Sequence, residues 1–342
     1  MEVTKALTFR ASSIGDCLMG KYLLENIHAQ YPQARLGIVV ASRAGMIRDL
    51  FAAYPWLEVI EANRRNPRPL LSLLKNFRDS DLVATQYAGK HGGSFSFASK
   101  CVARLLARKG GLVGFSDASA WNGMLYDRLV PVRSDIAVVE HDRMALRAAG
   151  VPVSIPFPTL RYVEDSNALH ALGLKEAEFV VVHFFSGAKG RGLHPDKKRE
   201  LLGALAKKLP GVRLVISGGM QDQAEALDVS EGIPATVIAG KATLQTLMNL
   251  IAKSRGVVSL DTGVAHMTAQ LGKPLVVLRT CLGRNWWVSD QYGADASITV
   301  CSHDTPCSAG HVYKDYPPCL NGVSVEEVAE AVARNSPRPY RS

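Results

Sequence analysis

The 342-residue sequence contains no apolar run of the roughly 18 residues that a membrane-spanning helix needs. Near its start, Arg10 and Asp16 interrupt every apolar stretch long enough for a signal peptide. There is also no long basic tract, and no interleaving of basic and aromatic residues of the kind that binds RNA. We therefore expect a cytoplasmic protein that does not bind nucleic acid.

Two glycine-rich nucleotide-binding motifs are missing. No Gly-x-Gly-x-x-Gly follows the first apolar strand, and no Walker A sequence occurs anywhere in the chain. The stretch SGAKGRG (186–192) has its glycines in another order and lacks the Lys-Ser/Thr ending of a P-loop. Both absences argue against a dinucleotide-dependent oxidoreductase and against a P-loop enzyme.

Closely paired cysteines are missing as well. Three of the six cysteines, Cys301, Cys307 and Cys319, share one C-terminal stretch with His303 and His311. Thiolates and imidazoles are suitable metal ligands, but five and eleven residues separate these cysteines, unlike the close pairs of a zinc ribbon. We expect reduced structural cysteines and no metal, with a metal site as the alternative.

Positive charge, by contrast, is in excess. The chain has 40 lysines and arginines against 31 aspartates and glutamates, a formal net charge of +9. This balance favours anionic partners such as nucleotides, anionic glycolipids or the inner membrane surface. The basic residues are dispersed, with one concentration at NRRNPRP (63–69).

Apolar, β-branched runs alternate with helical patterns along the whole chain, as in RLGIVV (35–40) and FVVVHFF (179–185). Ten such runs predict parallel strands that are covered on both faces. The proline-containing stretch 150–167 is typical of a linker. We therefore predict an α/β protein of two doubly wound domains, 1–155 and 156–342, that face each other across a cleft. Ligands are expected beyond the carboxyl ends of the strands.

Two stretches carry chemistry at such strand ends. SSIGD (12–16) joins the first strand to the first helix, where Ser13 or Asp16 could cap the free helix amides. The stretch SLDTGVAHMTAQLGKPLVVL (259–278) predicts a strand followed by a helix. The free amides at the start of that helix, beside a small threonine and a glycine, would suit a pyrophosphate. Taken singly, Asp261 is also a plausible N-cap and His266 a plausible interior histidine.

SSIGD and DTGVAH followed by LGKP resemble the heptosyltransferase family, glycosyltransferase family 9, as do SGA (186–188) and CLNGVSVEEVAEAVAR (319–334). The resemblance implies a GT-B architecture, with the acceptor on the N-terminal Rossmann-like domain and the nucleotide sugar on the C-terminal one. It implies inverting transfer of heptose from ADP-heptose to the Kdo-containing inner core of lipopolysaccharide, with peripheral contact at the inner membrane.

The resemblance also assigns roles. Asp16 is expected to be the general base, and Ser12, Ser13 and Gly15 let the backbone pass close to the sugar. The residues expected to bind the donor are Ser186, Gly187, Asp222, Asp261, Thr262, Gly263 and His266. For Asp222, a helix N-cap is an equally good interpretation.

One family position differs. A lysine usually lies three residues before a proline, but Gly192 has that spacing from Pro195 here. Lys189 or Arg191 is the expected substitute for phosphate neutralisation.

Arg64, Arg65 and Arg68 are expected to bind the acidic acceptor, because a guanidinium fork matches a carboxylate or phosphate. Lys90 and Arg143 are weaker candidates for the same role, and a solvated basic loop is the alternative.

The resemblance implies no required cofactor, although related autotransporter heptosyltransferases carry a cysteine-bound iron in the C-terminal region. The alternatives are another nucleotide sugar, a protein acceptor, or a non-catalytic nucleotide- or glycolipid-binding module. Because donor and acceptor are expected on separate domains, domain closure is expected to gate the reaction.

Overall fold

The computed structural model describes residues 2–10, 13–62, 68–86, 96–117, 119–187, 189–281, 286–303 and 316–336. The chain forms two compact units, Met1–Pro158 and Thr159–Ser342. The division lies within the proline-containing stretch 150–167. Among the described residues, no helix combines the length and apolarity needed to cross a membrane.

Unit 1 is built on a six-stranded parallel sheet with the order β3-β2-β1-β4-β5-β6. Strands and helices alternate along the chain. The elements are β1 (Lys5–Arg10), α1 (Ile14–Gln30), β2 (Arg35–Val40), α2 (Ala44–Leu50), β3 (Leu57–Glu61), α3 (Arg68–Phe77), β4 (Leu82–Ala84), α4 (Phe97–Leu106), β5 (Leu112–Phe115), α5 (Asn122–Leu125), β6 (Arg128–Val130) and α6 (Val138–Ala148).

Unit 2 repeats this plan with the order β12-β11-β10-β7-β8-β9. Its elements are β7 (Phe179–His183), α7 (Pro195–Lys208), β8 (Arg213–Ile216), α8 (Gln223–Val229), β9 (Ala235–Val237), α9 (Leu244–Lys253), β10 (Val257–Leu260), α10 (Gly263–Gln270), β11 (Leu275–Leu278), α11 (Ser289–Tyr292), β12 (Ile298–Cys301), α12 (Pro318–Asn321) and α13 (Val325–Asn335). Short 3-10 turns occupy His170–Leu172, Lys189–Arg191 and Met220–Asp222.

The apolar runs form strands because helices cover both faces of each sheet. Every residue of β10 and of β11 is buried, and alternate residues along each strand point to opposite faces. This confirms the predicted fold class of two Rossmann-like parallel-sheet domains. Ten strands were expected, and the structure adds β6 and β12. Both are short edge strands with partly exposed residues, so neither has a continuous apolar run.

Each sheet reverses its strand order at one point, between β1 and β4 in unit 1 and between β7 and β10 in unit 2. In doubly wound sheets, ligands bind beyond the carboxyl ends of the strands at this switch point. The loop after β1 leads to Asp16, whereas the loops after β7 and β10 contain Ser186 and Asp261. The predicted motifs of each unit therefore lie at its switch point.

Candidate active site

In unit 1, Asp16 lies in the first turn of α1, just beyond the end of β1. Ser13 is the N-cap of that helix, with extended backbone dihedrals of φ −81° and ψ 146°. Its hydroxyl accepts the Asp16 amide at 3.2 Å and donates to Asp16 Oδ2 at 2.5 Å. Of the two predicted capping residues, Ser13 therefore caps the helix. Asp16 remains half-buried with a carboxylate oriented by that hydroxyl.

A buried ion pair lies at the end of β1, where the chain leaves the sheet toward α1. Arg10, the last residue of β1, donates from Nη2 to Asp142 Oδ1 on α6 at 2.6 Å, and each side chain is 3% exposed. Arg10 Nε also donates to Thr8 Oγ1 at 3.0 Å. Burial raises the pKa of Asp142, opposed first by the charge of Arg10, and the negative charge of Asp16 adds to the rise. The charges of both Arg10 and Asp16 therefore act on Asp142, in opposite directions.

The path of the Arg10 side chain depends on a glycine in α1. A Cβ built on Gly20 would lie 2.7 Å from Arg10 Cγ and 2.8 Å from Nε. No real Cβ tolerates such distances, so Gly20 provides the space through which Arg10 reaches Asp142.

In unit 2, β10 leads through Asp261 and Thr262 into α10. Thr262 is the N-cap, but its side chain makes no capping hydrogen bond and lies 3.4 Å from Ser259 Oγ. The first amides of α10, from Gly263 onward, therefore lack a side-chain cap. Amides at a helix start attract anions through hydrogen bonding and through the helix dipole. The arrangement fits a phosphate group.

Asp261 is a half-buried acid beside this helix start, with its side chain 19% exposed. Burial raises its pKa, and three neighbours oppose the rise: the Trp287 indole first, then the charges of Arg191 and Arg279. Arg191 belongs to the exposed 3-10 turn after β7, and Arg279 follows β11. Two guanidinium groups from separate loops therefore influence the same carboxylate.

His266 lies on α10 behind Asp261, in a cluster of aromatic side chains. Its Nδ1 is 2.5 Å from Tyr292 Oη, and its Nε2 is 3.6 Å from Asp261 Oδ1. The ring stacks on Trp287 with centroids 4.7 Å apart and planes 8° apart, and Trp286 lies 4.9 Å away. Burial lowers the pKa of His266 to about 3, so the imidazole is neutral at physiological pH.

The remaining predicted donor residues lie on other loops of unit 2. Ser186 and Gly187 follow β7, and a Cβ on Gly187 would meet nothing within 4 Å. Lys189 begins the 3-10 turn that contains Arg191. The Asp222 side chain accepts the Gly219 amide at 2.7 Å and thus closes the turn that precedes α8. Asp222 also stands at the N-cap position of α8 but makes no side-chain capping hydrogen bond to that helix, and its contact with the donor stays a prediction.

The predicted acceptor residues are only partly described. Ser12, Arg64, Arg65 and Lys90 lie outside the described residues. Arg68 is the exposed first residue of α3. Gly15 is buried in the first turn of α1.

Arg143, a further acceptor candidate, makes several contacts within unit 1. Its guanidinium contacts Tyr22 Oη at 3.2 Å, Glu140 at 3.1 Å and the Pro156 carbonyl, and it lies over the Phe157 ring. These contacts fasten α6 to the end of unit 1.

Of the predicted metal candidates, Cys301 ends β12 and Cys319 is buried in α12, while Cys307 lies outside the described residues. Burial raises the pKa of Cys301 to about 11, which keeps it a thiol. The Cys281 amide lies 3.5 Å from Cys319 Sγ. Within the described part of the chain, no three His, Cys, Asp or Glu side chains are grouped to hold a metal. The expectation that no cofactor is required stays a prediction.

Sequence reasoning missed several residues around these helix starts: Arg10, Asp142, Arg279, Trp287 and Tyr292. Two sequence features could have pointed to this region: Arg10 is a charged residue at the end of an apolar strand, and Gly20 is a glycine inside a helical pattern. No such feature marks Tyr292, because α11 has only four residues and is too short to show a helical pattern.

The two units together have the fold of GT-B glycosyltransferases. Residues 94–307 match the family model described as "Glycosyltransferase family 9 (heptosyltransferase)". Since this match spans more than half of the sequence, the chain belongs to glycosyltransferase family 9 and is a glycosyltransferase. The resemblance inferred from the motifs is confirmed.

Curated relatives agree with this membership. Lipopolysaccharide heptosyltransferase 2 of Salmonella typhimurium (strain LT2) is 26% identical over 304 residues, which cover 80% of this chain and 82% of that protein. Lipopolysaccharide heptosyltransferase 1 of Escherichia coli (strain K12) is 24% identical over 281 residues, covering 80% and 87%. The solved structure of E. coli ADP-heptose lipopolysaccharide heptosyltransferase II matches with a TM-score of 0.71 at 19% identity, over 96% of this chain and 98% of that one.

Proposed function

We propose that the protein transfers heptose, with inversion, from ADP-heptose to the Kdo-containing inner core of lipopolysaccharide. The start of α10 carries this proposal: it offers helix amides without a side-chain cap, beside the half-buried Asp261 carboxylate and within the field of two arginines. The names of the relatives, lipopolysaccharide heptosyltransferases 1 and 2, support the choice of sugar and acceptor.

The donor is assigned to unit 2. Amides at Gly263 and beyond hydrogen-bond the diphosphate, and Arg191 and Arg279 neutralise its charge as the bond to the sugar breaks. Together, these guanidinium groups replace the family lysine whose position Gly192 occupies. Ser186 and Gly187 line the opposing loop, and Asp261 accepts hydrogen bonds from heptose hydroxyls.

The acceptor is assigned to unit 1, where Asp16 acts as the general base. Its carboxylate takes the proton of the attacking hydroxyl, whose oxygen forms the new bond to the anomeric carbon of the heptose. The bond between that carbon and the β-phosphate oxygen breaks, and ADP leaves on the opposite face. Ser13 holds Oδ2, so the other carboxylate oxygen receives the proton. Arg68 binds acidic groups of the acceptor, whose lipid part brings the protein to the inner membrane surface.

Incubation with ADP-heptose and a Kdo-bearing acceptor tests this function. The expected result is released ADP and a product of increased mass, with inverted anomeric configuration by NMR and an unchanged rate after chelator treatment. ADP, UDP and GDP are compared in thermal unfolding, since only a true ligand raises Tm by mass action.

Other results would replace the proposal. Stabilisation by UDP or GDP alone would indicate another nucleotide sugar, and transfer to protein but not to the Kdo acceptor would indicate a protein substrate. Stabilisation by ADP without turnover on either acceptor would indicate a non-catalytic binding module.

A further inference from the structure

We propose that Tyr292 is a positioning residue of the donor site, whose hydroxyl holds His266 in the tautomer with Nε2–H directed at Asp261. This inference rests on the proposed function insofar as Asp261 contacts the donor sugar. It concerns how the carboxylate is held, whichever sugar it meets.

The tautomer follows from the partners on either side of the ring. A neutral imidazole has one N–H and one lone pair, and the partner of each nitrogen decides which is which. On one side, Asp261 Oδ1 lies 3.6 Å from Nε2, and a carboxylate only accepts hydrogen bonds. On the other, the Tyr292 hydroxyl lies 2.5 Å from Nδ1 and is able to donate. The consistent assignment has Tyr292 donating to Nδ1 and Nε2–H facing Asp261.

The surroundings support this assignment. The Gln291 side chain also hydrogen-bonds Tyr292 and opposes the rise of its pKa, as a donor to the hydroxyl oxygen does. His266 is 6% exposed and Tyr292 is 9% exposed, so water has little access to either group. Stacking on Trp287, with planes 8° apart, resists rotation of the imidazole out of this plane. Burial lowers the pKa of His266 and raises that of Tyr292, so both groups stay neutral and the hydroxyl keeps its proton.

One consequence concerns the sugar rather than the nucleotide. Asp261 Oδ1 lies 3.6 Å from Nε2, beyond direct hydrogen-bond distance, so His266 acts on the carboxylate through its N–H dipole. Loss of the Tyr292 hydroxyl frees the imidazole to change tautomer, and a lone pair on Nε2 would then repel the Asp261 carboxylate and turn it. Contacts to the heptose weaken, while the diphosphate keeps its helix amides and arginines. Tyr292→Phe is therefore expected to bind ADP-heptose about tenfold more weakly and ADP with unchanged affinity.

Nitrogen-15 NMR of the ligand-free protein tests the tautomer directly. We expect a protonated-type shift for Nε2 of His266 and an unprotonated-type shift for Nδ1 in the wild type, with a mixed pattern in Tyr292→Phe. Calorimetry with ADP-heptose and with ADP measures the affinities. Tyr126→Phe is the matched control, because it removes another buried hydroxyl, bonded to Thr85 Oγ1 at 2.9 Å in unit 1.

A proton on Nδ1 in the wild type would overturn the proposal, and so would unchanged ADP-heptose binding by a folded Tyr292→Phe. The wild-type spectrum decides alone if the variant fails to fold. If the wild type shows the expected tautomer but binds neither ADP nor ADP-heptose, the proposed function has failed and the positioning of His266 by Tyr292 stands.

Discussion

The two sheets share one strand order, yet the groups beside their switch points are held by different chemistry. In unit 1, a buried ion pair between Arg10 and Asp142 lies at the root of the loop that carries Asp16. In unit 2, a neutral histidine among aromatic rings stands behind Asp261. The same strand order therefore places a buried ion pair near Asp16, the predicted base, and a neutral histidine near Asp261, the predicted sugar contact.

The difference has a physical reason in what each edge is proposed to bind. The support beside Asp16 is a buried pair of opposite charges, which fixes the end of β1 from which the Asp16 loop departs. In unit 2, the proposed donor carries a dianionic diphosphate, and the proposal assigns its charge to Arg191 and Arg279. A neutral His266, in the proposed tautomer, turns an N–H dipole toward Asp261 at 3.6 Å without changing the net charge there.

The largest expected effect comes from removing the base. Asp16→Asn should lower transfer by about 10²–10⁴-fold, because an amide cannot take the proton of the acceptor hydroxyl. The measurement is ADP release at saturating substrates. ADP should still raise the Tm of the variant, since its predicted site lies in unit 2. Turnover at the wild-type rate would remove Asp16 from the catalytic role.

Breaking the ion pair tests the charged support. Asp142→Ala leaves Arg10 as a buried, unpaired cation and should lower the free energy of unfolding by about 3–5 kcal/mol in urea titrations. The double variant Arg10→Met/Asp142→Leu should recover much of this loss, because it removes both charges.

The control is Asp135→Ala, which breaks an ion pair whose Arg133 side chain is 55% exposed; it should leave the urea midpoint nearly unchanged, because water screens exposed charges. A double variant no more stable than Asp142→Ala would show that packing rather than charge explains the loss.

Acid should weaken unit 2 through its buried histidines. Burial lowers the pKa of His183, whose Nδ1 lies 3.0 Å from Ser217 Oγ, to about 4, and that of His266 to about 3. Below pH 6.5, the unfolded chain binds protons at these positions while the native state does not. Stability therefore falls as pH decreases, by about 1.4 kcal/mol per pH unit for each histidine.

The contribution of His183 is isolated by comparing a parent protein with its His183→Gln variant. Both carry Trp56→Phe and Trp121→Phe, so that fluorescence reports the unfolding of unit 2 through Trp286 and Trp287. Between pH 7.5 and 5.5, the parent should lose about 1.4 kcal/mol more than the variant in urea unfolding. Equal losses would mean that His183 is protonated in the native state.

Two glycines, one in each unit, give the last comparison, and Gly187 has the smallest expected effect on stability. Gly20→Ala should lower stability by about 1–3 kcal/mol despite the better helix propensity of alanine, because its Cβ would collide with Arg10. Gly187→Ala should leave stability within about 0.5 kcal/mol, since its Cβ meets nothing, but should raise the KM for the donor if the diphosphate lies there. The reverse order of stability losses would contradict the described path of Arg10.

The sequence predicted most of the architecture for a local reason. Strands buried on both faces need continuous apolar runs. Ten of the twelve strands in the described residues were therefore predicted from such runs, while β6 and β12 at the sheet edges were not. The positions of Asp16 and Asp261 near strand ends were also predictable. The end of a parallel strand and the start of the next helix are separated by only a few residues, so the sequence locates the loop between them.

Features set by neighbours along the chain, namely the buried strands, the helix starts and the family motifs on them, were thus predictable from the amino-acid order. Folding in three dimensions brings distant groups together, such as Arg10 with Asp142, 132 residues apart, and His266 with Tyr292, 26 residues apart. No local pattern specifies such pairs, because they form only when helices pack on a finished sheet and burial makes each polar group depend on its partner.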